Sequence, residues 1–156
     1  MKSHVSKFLF VFSLLFIFGH TAADAQIDTD SVFRVNVPFA FSVRDKTFPA
    51  GEYVIQTPAA STHETGVLEM ASASTKGKKR VILFSTTPLS MTEAPTESNI
   101  IFGKIGGKYF LSEIWPAESM NGGQVEEPHM MKALEKGGLA KERQVIRAEL
   151  THKKAR

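Results

Sequence analysis

The chain has 156 residues, no cysteine and a formal charge of +3. The absence of cysteine removes thiolate metal sites, redox pairs and cysteine nucleophiles, and leaves stability to a packed core rather than to disulfides. The length is one domain's worth, enough to bury such a core unaided.

Residues 1–25 read as a secretory signal peptide. Lys2 and Lys7 precede an apolar run from Phe8 to Phe18, and Ala23-Asp24-Ala25 supplies small residues at the two positions a signal peptidase must accommodate. The run is 11 residues long, whereas a spanning helix needs about 20. The expected cut lies between Ala25 and Gln26, and the product is expected outside the cytoplasm, in the periplasm or the medium. No cysteine follows the run, so a lipoprotein anchor is excluded.

The mature chain opens with an alternation. Phe33, Val35, Val37, Phe39, Phe41 and Val43 occupy the odd positions; Arg34, Asn36, Pro38, Ala40, Ser42 and Arg44 the even ones. Successive strand side chains point to opposite sheet faces, so this is a β-strand with one buried face. Val37 and Phe41 are expected inside, Asn36 and Ser42 outside. Pro38 cannot donate to a ladder and predicts an edge or a bulge. Arg44-Asp45-Lys46 and Phe48-Pro49-Ala50-Gly51 are turns, and Tyr53–Thr57 leaves the second as a strand.

Pro58 to Gly66 is a loop. Val67 to Ser72 is a strand, Lys76 to Lys79 a basic turn, and Arg80 to Thr86 a strand apolar on both faces and hence central. Thr87 to Ser98 reads as a loop. Asn99–Ile105 and Lys108–Trp115 are strands joined by Gly106-Gly107, a two-residue hairpin loop of the primed kind. Pro116 to Pro128 reads as a loop. A helix begins near His129, breaks at Gly137-Gly138, and resumes from Leu139 to Lys153 with Leu139, Ile146 and Leu150 as a narrow seam.

The expected fold is therefore all-β: an antiparallel meander of about six strands forming a small barrel or sandwich. Residues 26–128 form the β-domain, and residues 129–156 a basic helical tail. Charge divides along the same line. Residues 26–131 hold nine Lys/Arg and twelve Asp/Glu, a balance of −3; residues 132–156 hold eight Lys/Arg and three Glu, a balance of +5. On an exported protein a basic tail points to anionic envelope surfaces before nucleic acid, and no nucleic-acid partner is expected.

Three segments, Val35-Asn36-Val37-Pro38-Phe39, Phe48-Pro49-Ala50-Gly51-Glu52-Tyr53 and Tyr109-Phe110-Leu111-Ser112-Glu113-Ile114-Trp115, resemble a group of small uncharacterised exported proteins of acidobacteria. The resemblance covers about residues 33–115 and implies a secreted β-rich domain without an assigned activity.

Catalytic and metal motifs are incomplete. His63-Glu64 lacks the second histidine of a zinc-protease helix, where Gly66 and Val67 stand. Met120, His129, Met130 and Met131 are soft donors of a kind that suits Cu(I), but methionines more often fill core gaps. The Gly103–Lys108 stretch lacks the first glycine and the final Ser/Thr of a phosphate loop, and there is no Gly-x-Ser-x-Gly elbow. No catalytic residue, cofactor or metal is assigned. Tyr53, Tyr109 and Trp115 combine an apolar body with a polar tip and are the candidate binding surface if they share a face; otherwise such residues close the end of a core.

Three functions follow. The first is an exported, non-enzymatic β-domain that binds or scaffolds an envelope component. The second is a peripheral binder of anionic surfaces through the basic tail. The third is a hydrolase whose site is assembled from distant residues.

Overall fold

A computed structural model describes residues 31–58, 66–73 and 80–152. The leader with its Ala25–Gln26 junction, His63, the Lys76–Lys79 turn and Lys153 lie outside the described residues.

Ten strands and one helix follow in chain order: β1 Ser31–Val37, β2 Phe41–Val43, β3 Lys46–Phe48, β4 Gly51–Gln56, β5 Val67–Ser72, β6 Val81–Ser90, β7 Ser98–Ile105, β8 Lys108–Trp115, β9 Asn121–Val125, α1 His129–Lys136 and β10 Glu142–His152. The fold is the expected all-β barrel, with more strands than six. Eight strands close it in the order β8-β7-β10-β1-β4-β5-β6-β9 and back to β8, while the β2–β3 hairpin hangs from β8.

Two long strands turn the corners. β6 pairs with β5 over Val81–Ser85 and with β9 over Thr86–Ser90. β10 pairs with β7 over Glu142–Ala148 and with β1 over Glu149–His152. Strands that change partner halfway let the sheet close on itself through β8–β9, so of barrel and sandwich the fold is the barrel. β8 divides its free edge: Tyr109–Phe110 takes β2 in parallel, and Glu113–Ile114 takes β9 antiparallel.

The opening alternation holds, but the strand is cut. Pro38 lies between β1 and β2, where no ladder partner needs its missing N–H. Phe33, Val35, Val37, Phe41 and Val43 are buried; Asn36 is exposed and Ser42 half-buried. They join Ile55, Met70, Phe84, Phe102 and Leu111 in one core that fills the barrel. Gly106 and Gly107 sit at φ 55° and 77° between β7 and β8, as a primed turn requires.

Four expectations are corrected. The helix from Leu139 to Lys153 is instead β10: Ile146, Ala148 and Leu150 pack inward at a period of two, and two open strand edges claim the segment despite its helix-forming Lys, Arg and Glu. The basic tail is thus a short helix followed by a barrel strand. The loop read over Pro116–Pro128 contains β9. β6 does not stop at Thr86 but continues through Pro88, where it has a ladder partner on one side only and proline is tolerated. Nor is β6 apolar-buried on both faces: Ile82 and Phe84 point in, while Val81 and Leu83 are 43% and 55% exposed.

α1 ends at Gly137, as the glycine pair predicts. Its Met131 and Leu134 cover Ile105 and Phe110 on the barrel's outer face. The helix comes this close because Gly103 has no side chain: a Cβ there would lie 2.9 Å from Met131 Cε. Beneath it β8 carries a bulge, since Ile101 pairs with Glu113 but Phe102 with Leu111, leaving Ser112 extra. Ser112 Oγ accepts from the Gly103 N–H at 3.1 Å and donates to the Phe110 carbonyl at 3.3 Å. The hydroxyl thus gives the displaced backbone the partners a ladder would have supplied.

Candidate binding cleft at the hairpin end of the barrel

The three segments behind the resemblance meet at one end of the barrel. Phe39 stacks on Tyr109 with centroids 3.8 Å apart and rings 13° from parallel, and stands edge-on to Phe102 at 5.3 Å. Phe41 contacts Phe48, Tyr53 and Phe102 at 5.7, 5.1 and 5.2 Å. Stacked and edge-to-face pairs of this kind contribute roughly 0.5–1.5 kcal/mol each beyond area burial. The Tyr53 hydroxyl donates to the Pro49 carbonyl at 2.7 Å, locking the Phe48–Tyr53 turn. Burial pushes the Tyr53 phenol above its usual value, partly offset by Arg80.

The structure separates the three candidate surface residues. Tyr53 is 2% exposed and belongs to the core. Trp115 is 5% exposed; its indole N–H donates to Glu113 Oε2 at 2.7 Å, and its ring lies over Gly122 of β9. Tyr109 alone is half-buried and reaches a cleft. The shared stacking face is absent, and Tyr53 and Trp115 take the core-closing role that is the commoner one for their type.

The cleft encloses about 260 Å³ between the β2–β3 hairpin, the β7–β8 turn and the start of α1. Phe41 and Ala40 line its apolar side. Ser42 and Thr47 line another wall, their hydroxyls 3.2 Å apart. Lys108 and Met130 complete the lining, with Lys108 Nζ donating to Met130 Sδ at 3.4 Å. Lys108 and Met130 are both exposed, so a ligand displaces only this weak contact. Ring, hydroxyl, ammonium and thioether groups suit a small amphipathic ligand or one extended side chain. Apart from Tyr109, only Met130 of the lining carries a functional signal in the sequence, as a soft donor beside the helix start, and that signal points to a metal.

The structure does not gather those soft donors. Met131 is buried under α1, Met130 faces the cleft, and Met120 is exposed in the loop before β9. Among the described residues no three His, Asp or Glu side chains are placed to hold a metal ion.

Cations of the basic tail lie beside acids of the body. Arg143 pairs with Glu113 at 3.1 Å, Arg147 with Glu97 at 2.7 Å and Lys141 with Glu127 at 2.7 Å. Glu142 binds Lys104 at 2.8 Å and, by that hydrogen bond and its charge, holds the ammonium pKa above the usual lysine value. No helix of the described residues is long and apolar enough to cross a membrane.

Comparison with protein-family models, curated proteins and solved structures found no match.

Proposed function

We propose that the chain is an exported, non-enzymatic β-barrel domain that binds or scaffolds a component of the cell envelope, using the cleft beside Tyr109 as its contact face. The observation that carries this reading is the cleft's composition. It brings an exposed cation, a flexible thioether and two hydroxyls around aromatic walls, at the end where a packed interior directs binding outward. Export rests on the leader pattern. The second reading, attachment to anionic surfaces through the tail, is supported by the charge split, but the ion pairs of Lys141, Arg143 and Arg147 compete with it.

A photo-crosslinking residue placed at Met130, with another at the exposed Leu83 as control, tests the proposal in the organism's envelope fraction. A discrete adduct from position 130, lost in Lys108→Glu and not formed from position 83, is expected. Equal labelling from both positions sinks the contact face. Export is checked separately by intact mass: protein made with its own leader should begin at Gln26, and recovery of Met1 refutes it.

A further inference from the structure

β10 differs from every other strand of the barrel. From Glu142 to Thr151 it alone shows no buried side chain: Ile146, Ala148 and Leu150 are half-buried and the other residues of that span exposed. Its neighbour β1 buries Phe33, Val35 and Val37, and its neighbour β7 buries Ile100, Ile101, Phe102 and Ile105. What holds β10 is mainly polar: ladders to β7 and β1, the surface pairs of Glu142, Arg143 and Arg147, and the Thr151 hydroxyl on the Val32 carbonyl. Such contacts are re-formed in full by any strand of the same sequence.

The connection to β10 is equally distinctive. Residues 137–141 are all exposed, and Gly138 has a φ of 82° with open space around its Cα. Five residues extend to at most about 17 Å, enough to carry β10 away from its own barrel while Met131 keeps α1 seated. Withdrawal leaves β7 and β1 with unpaired edges facing each other, and an open edge is a template for another strand. The slot also selects by charge. It offers Lys104, Glu113 and Glu97 to the positions of Glu142, Arg143 and Arg147, so the strand that fits is a second β10.

From this we infer that β10 is an exchangeable strand: it leaves the slot between β7 and β1 of its own chain and fills the same slot in a second copy, giving a reciprocal two-fold dimer. The inference stands apart from the proposed envelope role and survives its failure.

Equimolar full chains labelled with 14N and 15N are unfolded together in urea and refolded at high concentration. Dimers are isolated by size exclusion and treated with a zero-length carbodiimide. Lys104 Nζ and Glu142 Oε2, 2.8 Å apart, are joined where β10 sits in a slot. Exchange predicts that about half of the Lys104–Glu142 cross-linked peptides from dimers carry one light and one heavy member, as random two-fold pairing requires. Only same-label peptides would mean a surface dimer and overturn the inference, as would no dimer at all. A second measurement varies the hinge. Deleting Gly137 and Gly138 should raise the dimer fraction several-fold, and inserting Gly-Ser-Gly-Ser after Gly138 should lower it, because a short connector strains the closed monomer. A dimer fraction indifferent to both changes also overturns it.

Discussion

Gly122→Ala tests whether the barrel closes as described. A Cβ on Gly122 would lie 2.6 Å from Trp115 Cε3, 2.7 Å from Cδ2 and 2.8 Å from the Ile114 carbonyl oxygen. Contacts below 3 Å on both a ring and a backbone atom force something to move. Trp115 has little room, being buried and tied to Glu113 through its indole N–H. Overpacking of this sort costs about 1–3 kcal/mol, and a clash with backbone as well as side chain belongs at the upper end. The reduced freedom of the unfolded chain returns about 0.4–1 kcal/mol. A net loss of roughly 2 kcal/mol is expected. Trp115 is the chain's single tryptophan, so its fluorescence follows the urea melt from the perturbed site itself. The loss should shrink by about 1 kcal/mol in a Trp115→Leu background, where far-UV circular dichroism follows the melt, because residues in contact do not behave additively. A Gly122→Ala protein within about 0.5 kcal/mol of the parent, the range of a neutral surface change, would refute the packing of β9 beneath Trp115.

Phe41→Ala should cost about 3–5 kcal/mol, whereas Ser42→Ala should stay within about 0.5 kcal/mol; equal shifts in urea melts would mean the β2 register is wrong. Ser112→Ala leaves the buried Gly103 N–H without its hydroxyl partner and should destabilise by about 1–3 kcal/mol. Hydrogen exchange should show faster loss of the Gly103 amide proton, and an unchanged rate would count against the bulge. Tyr53 has a raised pKa in the folded state, so its contribution is complete below the ordinary tyrosine value of 10.0 and is lost as pH rises through the folded one. Tyr53→Phe should therefore flatten the alkaline arm of a stability–pH profile, and an arm of unchanged slope would assign it to other groups, Lys104 among them.

The fold was legible wherever one residue's neighbours in sequence were also its constraints. The alternation from Phe33 to Val43 and the turn chemistry of Gly106-Gly107 each encode their own geometry: the buried face appears as read, though divided between β1 and β2 at Pro38, and the turn appears as read. What escaped was set by distant partners. β9 contains Gly122-Gly123, a loop signal in isolation, but glycine is what Trp115 requires there. β10 contains Arg, Glu, Gln, Ala and Leu in a helix-like mixture, and only the open edges of β7 and β1 make it a strand. The candidate cleft was illegible for the same reason as β10: Phe41, Ser42, Thr47, Lys108 and Met130 meet only because β2 runs parallel to β8 and α1 begins above the turn. Tyr53 and Trp115 are amphipathic rings, yet burial and hydrogen bonding commit both to structure.

The charge split has a physical account within the chain. Arg143 and Arg147 stand on the outer face of β10, facing Glu113 and Glu97, while Ile146 and Leu150 face the core. Each pair is exposed enough to contribute only about 0–1 kcal/mol, so stability is not its main consequence. Register is. A slip of one residue would carry both arginines to the inner face and both aliphatics to solvent, losing the apolar contacts and stranding the carboxylates together. The apolar and ionic patterns therefore specify one alignment of a strand that has no buried anchor of its own. Attachment to an anionic surface through the tail would compete with carboxylates already within 2.7–3.1 Å of Lys141, Arg143 and Arg147, and drawing Arg143 and Arg147 away would remove the ionic half of the pattern that sets the register of β10.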